Sequence, residues 1–335
     1  MTLPLSDAAQ MDHALRLAGR GLGNVWPNPA VGCVITRDGR VVGRGWTQPG
    51  GRPHAERVAL DQAGAAACGA TAYVTLEPCA HHGRTPPCAQ ALIHAGIARV
   101  VGAISDPDPR VAGRGYDMLR AAGIAVTEDV RAPEAAAQQR GFLTRITQGR
   151  PMVTLKLATS FDGRIATATG ESRWISDAEA RRHVHLLRLT HDAVMVGGGT
   201  ARADQPALNV RGFGPVRQPV RVVIANGPIP DLPPEDADHG PLLILPGPLP
   251  DALAELGRRG LTRVLCEGGG QLAASLLAAD LVDELVGYTA GVILGGDARP
   301  AIGPLMLPSL AAAPRFILTE TRRLGPDILH HWTRT

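Results

Sequence analysis

The sequence is poor in lysine, in aromatic side chains and in long apolar runs. Of its 34 basic residues one is lysine, Lys156, and the rest are arginine. Phe, Trp and Tyr together make up 3%, too few to furnish the stacking platform of a single-strand nucleic-acid surface. The formal net charge is only +3, whereas nucleic-acid-binding domains usually carry a clustered basic excess. No apolar run approaches the roughly 18 residues that mark a membrane-spanning helix. Asp7 and Asp12 interrupt any basic-then-apolar leader, so the expectation is a cytoplasmic protein with neither a nucleic-acid nor a membrane partner. The five cysteines (33, 68, 79, 88 and 266) are odd in number, and the chain is too long to need a disulfide scaffold. Metal binding or plain burial is the better reading for them.

What is present suffices for two substantial cores. The chain has 335 residues, of which 44% are hydrophobic, about twice the usual size of a single domain. Its 40 glycines and 28 prolines stay below the roughly 25–30% that signals disorder, so they read as turns and close backbone approaches. Helical spacing from Asp7 is followed by strands at 30–36 and 40–45. Helices at 54–67, 87–96 and 113–122 then alternate with strands at 70–76, 98–105 and 124–128, which implies a layered α/β domain with a largely parallel sheet. A helix over 133–149 ends at Gly149 and Pro151, the best boundary in the chain. Beyond it the alternation restarts, with strands at 152–158, 192–197, 219–225, 241–245, 262–266 and 282–289 and helices at 177–189, 250–259 and 270–278. The Pro- and Asp-rich stretch 226–240 reads as a surface loop.

Residues 54–56 read HAE and residues 77–88 read EPCAHHGRTPPC. A catalytic zinc takes three protein ligands and leaves a fourth position for water; His54, Cys79 and Cys88 supply such a set, and two thiolates with an imidazole suit zinc better than magnesium or calcium. Each Cys follows a Pro, a residue favoured in a first helical turn, where the orphan N–H groups lower a thiol's pKa. Glu56 makes the cluster catalytic. Positions i and i+2 do not share a helix face, so His54 and Glu56 converge only at a helix entry, where Glu56 can move protons beside an activated water. The arrangement matches the zinc nucleobase deaminases, in which the Glu is not a ligand. A structural zinc site would want a fourth protein ligand, which His81 or His82 could supply.

Eight residues separate the two cysteines, where the common deaminase pattern has two. With this extended segment, with "PNPAVG" around Asn28 and with "DPDPRVAG" at 106–113, the first half resembles the deaminase domain of the bifunctional pyrimidine deaminase/reductase family of riboflavin biosynthesis. The resemblance implies a cytidine-deaminase-like three-layer α/β/α fold. It also implies a substrate pocket lined by Asn28, His81, Arg84, Asp106 and Asp108, with Arg84 suited to a ribose phosphate because Arg grips phosphate bidentately.

The second half has no G-x-G-x-x-G after its first strand. It does place Gly197-Gly198-Gly199-Thr200 after a strand and Glu267-Gly268-Gly269-Gly270-Gln271 before a helix, where backbone N–H groups can approach a pyrophosphate. "LKLATSFDGRIA", "GESRWIS", "ARADQPALNVR" and "EGGGQLAASLL" resemble the reductase domain of the same family, which is similar in fold to dihydrofolate reductase and uses NADPH. The resemblance implies that Ala158, Trp174, Thr200, Asp204 and the 269–275 loop, Gly269 and Gly270 included, contact NADPH. Ser172, Arg188, Leu208, Arg211 and Glu267 are implied to contact the substrate. Period-2 geometry puts Lys156 on the same strand face as Ala158, and the sole lysine is expected to point at the substrate.

The expectation is a zinc-dependent deaminase over 1–148 and an NADPH-dependent reductase over 149–335. The first is expected to act on 2,5-diamino-6-ribosylaminopyrimidinone 5′-phosphate and the second to reduce its ribosyl chain, in a homodimer or larger homo-oligomer. The alternatives are a tRNA deaminase with an accessory domain, and a zinc-stabilised binding module that senses a nucleotide.

Overall fold

The computed structural model describes residues 6–80, 86–109 and 111–334. The chain divides into two compact units, residues 1–149 and 150–335.

The first unit runs α1 (Asp7–Ala18), β1 (Gly32–Arg37), β2 (Arg40–Trp46), α2 (Ala55–Ala63), β3 (Thr71–Val74), α3 (Cys88–His94), β4 (Arg99–Gly102), α4 (Arg114–Ala121), β5 (Ala125–Thr127) and α5 (Ala132–Gln148). Ser6 caps α1 by accepting from the Ala9 N–H, and Gly149, in the left-handed conformation, ends α5, as a helix C-terminus favours. The five strands stand in the order β2-β1-β3-β4-β5. Alternation sorts them into layers: Cys33, Ile35, Ala72 and Val74 pack with Ala59, Leu92 and Leu119, while Val34, Tyr73 and Val101 pack with Met11, Ala14 and Ala135. The sheet is mixed. β3, β4 and β5 are parallel, but β1 is antiparallel to both β2 and β3. The largely parallel expectation fails here because β1 and β2 form a hairpin at Asp38-Gly39, whose positive φ values of 51° and 72° suit a tight reversal. Glycines let the helices seat directly on this hairpin: a Cβ on Gly43 would stand 2.2 Å from the Ala59 carbonyl oxygen, and one on Gly45 2.1 Å from that of Ala55.

The second unit comprises β6 (Met152–Ser160), β7 (Arg164–Ala166), α6 (Ala178–Leu189), β8 (Ala193–Gly197), α7 (Gly198–Asp204), β9 (Val220–Ile224), β10 (Leu242–Leu245), α8 (Leu249–Arg258), β11 (Arg263–Cys266), α9 (Gly270–Ala278), β12 (Glu284–Ala290), β13 (Arg299–Pro300), β14 (Phe316–Leu324) and β15 (Asp327–Arg334). Its main sheet has the order β10-β9-β8-β11-β6-β12-β15-β14. The first six strands are parallel and the last two antiparallel. β11 inserts between β8 and β6, so the carboxyl ends of β8, β9, β10 and β11 face one crevice at a reversal of strand order, the usual ligand site of such sheets. The terminal hairpin β14–β15 was not expected from the sequence; nearly every residue of β14 is exposed, so it carries little of the alternation that marks a half-buried strand. No described helix is long and apolar enough to cross a membrane.

Candidate active sites

His54 is the N-cap residue of α2, with extended backbone (φ −71°, ψ 161°), and Glu56 lies in the first turn. This is the helix entry that lets an H-x-E pair converge. Cys88 opens α3, and its N–H, free of an intrahelical partner, donates to Cys79 Sγ at 3.3 Å. Cys79 itself lies in no helix, so the expectation that both cysteines occupy first helical turns holds for Cys88 only. His54 Nδ1 is 3.3 Å from Cys88 Sγ and 3.7 Å from Cys79 Sγ, and the three donor atoms lie within 4.8 Å of one another. Tetrahedral zinc with arms of about 2.0–2.3 Å holds its ligand atoms roughly 3.5–3.8 Å apart, so the two His54–sulfur separations are already close to what the ion needs.

The electrostatics follow from burial beside sulfur. The Cys88 thiol and His54 pull Cys79 down to about 4, while Cys88 is pushed up by its bond to Cys79 and by burial. Glu56 is 3% exposed; burial first, and the Cys79 charge second, raise it to about 6. A carboxyl tuned there can both take and return a proton near neutrality.

Asn28 is half-buried and touches the backbone turn at Gly51. Asp106 and Asp108 are 8% and 6% exposed, and the Asp108 N–H donates to Asp106 Oδ1 at 2.9 Å. His81 and Arg84 lie outside the described residues. Sequence reasoning missed Glu77. Buried just before Pro78-Cys79, it accepts from the N–H groups of Asp106 (3.1 Å), Gly113 (3.0 Å) and Gly115 (2.9 Å). One carboxylate thus shapes the loop that carries both aspartates. Its proximity to the cysteine was visible, but nothing in the sequence names its three partners.

In the second unit the two glycine turns meet. The Gly269 N–H donates to Thr200 Oγ1 at 3.0 Å, and a Cβ on Gly268 would stand 2.7 Å from the Gly197 nitrogen. Beside them, at the ends of β9 and β10, opens a cavity of about 380 Å³ lined by Ala225, Asn226, Gly247, Leu272 and Ser275 among others. Bare backbone, a helix start at Gly270 and an adjoining hollow fit a dinucleotide. Asp204 ends α7 and is exposed. Trp174 is 67% exposed with the Arg181 guanidinium 4.5 Å from its ring, and Ser172 shares that exposed stretch.

The charged residues form a second group. Arg188 pairs with Glu267 through Nε (2.6 Å) and Nη2 (3.0 Å) and donates to the Asn209 carbonyl at 2.5 Å. Burial raises the Glu267 carboxyl, but Arg188 and Lys156 outweigh it and hold the group at about 2. Leu208 is core, packed with Val194, Val196 and Val223, so any ligand contact falls to its backbone. Arg211 is exposed, and its N–H donates to His185 Nδ1 at 3.2 Å. Lys156 shares a face with half-buried Ala158; its Nζ lies 6.0 Å from the Tyr288 ring centroid, and burial lowers its pKa.

A buried carboxyl beside a His-Cys-Cys donor set on α/β/α layers defines a zinc deaminase, and the glycine-lined crevice a dinucleotide-dependent reductase. Comparison with known proteins agrees on both. Residues 5–104 match the cytidine and deoxycytidylate deaminase zinc-binding region, and residues 151–330 match the RibD C-terminal domain. The riboflavin biosynthesis protein RibD of Escherichia coli is 43% identical over 98% of this chain and 99% of its own; that of Haemophilus influenzae is 43% identical over 96% of each. The solved Acinetobacter baumannii RibD (form 2) superposes with a TM-score of 0.87 at 39% identity, covering 98% of this chain and 99% of its own. A Thermotoga maritima diaminohydroxyphosphoribosylaminopyrimidine deaminase/5-amino-6-(5-phosphoribosylamino)uracil reductase does so with 0.86 at 32%, with the same coverage. The chain belongs to the RibD family of riboflavin-biosynthesis proteins. It is a bifunctional enzyme with a zinc-binding deaminase domain and an NADPH-using reductase domain, and the tRNA-deaminase alternative is not favoured.

Proposed function

We propose that residues 1–148 hydrolyse the amino group of 2,5-diamino-6-ribosylaminopyrimidinone 5′-phosphate and that residues 149–335 reduce the ribosyl chain of the product to 5-amino-6-(5-phosphoribitylamino)uracil. The observation that carries the first step is the buried Glu56 beside three donors fit for zinc. Zinc, when bound by His54, Cys79 and Cys88, supplies a water acidic enough to ionise near neutral pH. Glu56 holds the proton of that water and passes it to the departing amine, which leaves as ammonia. Burial keeps competing solvent from the carboxyl and keeps its affinity for the proton high. Asn28, Asp106 and Asp108 orient the pyrimidine, and His81 and Arg84 complete the pocket by resemblance to the family.

In the second unit NADPH supplies the hydride. Thr200, Gly269 and Gly270 cradle its pyrophosphate, while Ala158, Trp174 and Asp204 flank the rest of the cofactor. Exposed Arg211 is the phosphate partner for substrate, with Ser172 and the Leu208 backbone beside it. Arg188 is committed to Glu267, so this pair fixes the 208–211 segment and presents a carboxylate to the ribityl hydroxyls. Half-buried Lys156 interacts with Glu267 and Arg188, which supports a role in polarising the group being reduced. We assign the protein to the cytoplasm as a homodimer or larger assembly acting on a small phosphorylated pyrimidine, with no nucleic-acid or membrane partner; apolar Ile317, Leu318 and Ile328, exposed on the terminal hairpin, support self-association.

The test separates the two halves. Glu56→Gln should retain zinc by metal analysis yet release ammonia about 10²–10⁴-fold more slowly, while NADPH oxidation supplied with the deaminated product continues at the wild-type rate. Undiminished ammonia release would overturn the role of Glu56, and a wild-type chain that oxidises no NADPH with that product would overturn the reductase assignment.

A further inference from the structure

The cavity beside the glycine turns contains no cation. Its lining comes from the end of β9 at Ile224–Asn226, the entry to α8 at Gly247–Pro250, and Leu272 and Ser275 of α9 with Ala279 just beyond it. A surface of this kind accepts a flat apolar ring with a few polar edges. It offers nothing to a phosphate monoester, which demands charge-assisted donors. The start of α8 cannot supply them: Pro248 and Pro250 have no N–H, and Asp251 places a carboxylate in the first turn.

One guanidinium stands at the rim. Arg202 of α7 is exposed, and its Nη1 donates to the Pro228 carbonyl at 3.2 Å, two residues beyond the lining Asn226. A Cβ on Gly198 would meet the Ala225 Cβ at 2.8 Å and Arg202 Nη1 at 3.2 Å, so the guanidinium and the cavity wall flank the same point. A single bond to a carbonyl leaves most of its five N–H groups unused.

We propose that Arg202 is the cofactor-selectivity residue of the reductase. With the pyrophosphate on the glycine turns and the adenosine in the cavity, Arg202 takes the 2′-phosphate that distinguishes NADPH from NADH. The inference rests on the reading of the crevice as the cofactor site, and adds to it the residue that reads the phosphate. The Pro228 carbonyl holds the guanidinium at the rim in advance, so less side-chain freedom is lost on binding.

The experiment is calorimetric titration of the full-length chain with 2′,5′-ADP and with 5′-AMP, compared between wild type and Arg202→Leu, an exposed position whose replacement leaves the core untouched. Wild type should favour 2′,5′-ADP over 5′-AMP by about 10- to 100-fold, the range of a hydrogen-bonded charge. Arg202→Leu should bring the two within about threefold while 5′-AMP affinity stays unchanged, and Arg202→Lys should restore part of the preference. The NADPH/NADH ratio of kcat/KM should fall in parallel, with kcat at saturating NADPH preserved. If Arg202→Leu keeps the full preference for 2′,5′-ADP, the role of Arg202 is wrong and the cofactor crevice stands. If wild type binds neither nucleotide, the reading of the crevice fails and takes the selectivity residue with it.

Discussion

The two sites are built on opposite plans. The zinc site draws its three donors from two short segments and converges side-chain atoms on one point within 4.8 Å. The glycine crevice proposed for the cofactor draws on four strand ends and presents mostly what side chains leave out: glycine backbone, a helix start, a hollow. Charge is handled differently as well. Around His54 ionisable groups are buried side by side, so that burial, with the Cys79 charge second, moves Glu56 to about 6, and the Cys88 hydrogen bond, helped by His54, moves Cys79 to about 4. In the second unit Arg188 and Glu267 neutralise each other and serve as a fixed brace. A site that holds a metal concentrates reactive atoms, whereas a site that holds a cofactor clears space and leaves the reactive chemistry to the guest.

That contrast can be broken most severely at Cys88. Cys88→Ala should remove zinc and depress deamination by at least about a thousandfold, with product-dependent NADPH oxidation retained; metal analysis and the two partial assays on one preparation check it, and retained zinc would show that the three donors do not act as a set. The converse lesion is smaller. Gly268→Ala inserts a methyl group 2.7 Å from the Gly197 nitrogen and 2.8 Å from the Val196 Cα, which forces the two turns apart. A displacement of about 1 Å at a binding site can cost about a hundredfold, so kcat/KM for NADPH should fall about 10- to 100-fold while ammonia release is unchanged. Equal loss of both activities would mean that the residue supports the whole chain and not the crevice.

A third effect concerns stability. His191 is buried, donates through Nδ1 to the Leu187 carbonyl (2.6 Å) and has Thr154 Oγ1 2.9 Å from Nε2. Burial, reinforced by Arg263, lowers its pKa to about 3. The unfolded chain binds this proton below about pH 6.5 and the folded one does not. The contribution of His191 is therefore complete above pH 6.5 and is lost as pH falls towards 3, at up to about 1.4 kcal/mol per pH unit. Hydrogen exchange at β6 and β12 amides across that range should show the slope in wild type and its flattening in His191→Gln; identical slopes would place the acid sensitivity elsewhere.

Legibility in the sequence followed the same divide. His54, Glu56, Cys79 and Cys88 were readable because metal and proton chemistry require particular atoms, and the HAE and P-C segments display them. Glycine turns were visible as candidates, yet their meeting through Gly268 and Thr200 depends on β11 entering the sheet beside β8, which no local pattern encodes. The commitment of Arg188 to Glu267 spans 79 residues and was read as two separate substrate contacts. Glu77 looked like part of a motif, and its work is done by backbone N–H groups that any residue could have supplied. The terminal hairpin escaped because exposed β14 shows no buried face.

Gly43 and Gly45 give the zinc site its datum. They lie on β2, behind α2, and let that helix come to rest on bare backbone at Ala55 and Ala59. A side chain at position 45 would lift the helix as a rigid part and carry His54 and Glu56 with it, spacing intact, away from Cys79 and Cys88. The accuracy of the metal centre is thus machined into a surface that holds none of its ligands, and a fault there would register as a misaligned assembly whose every working component is sound.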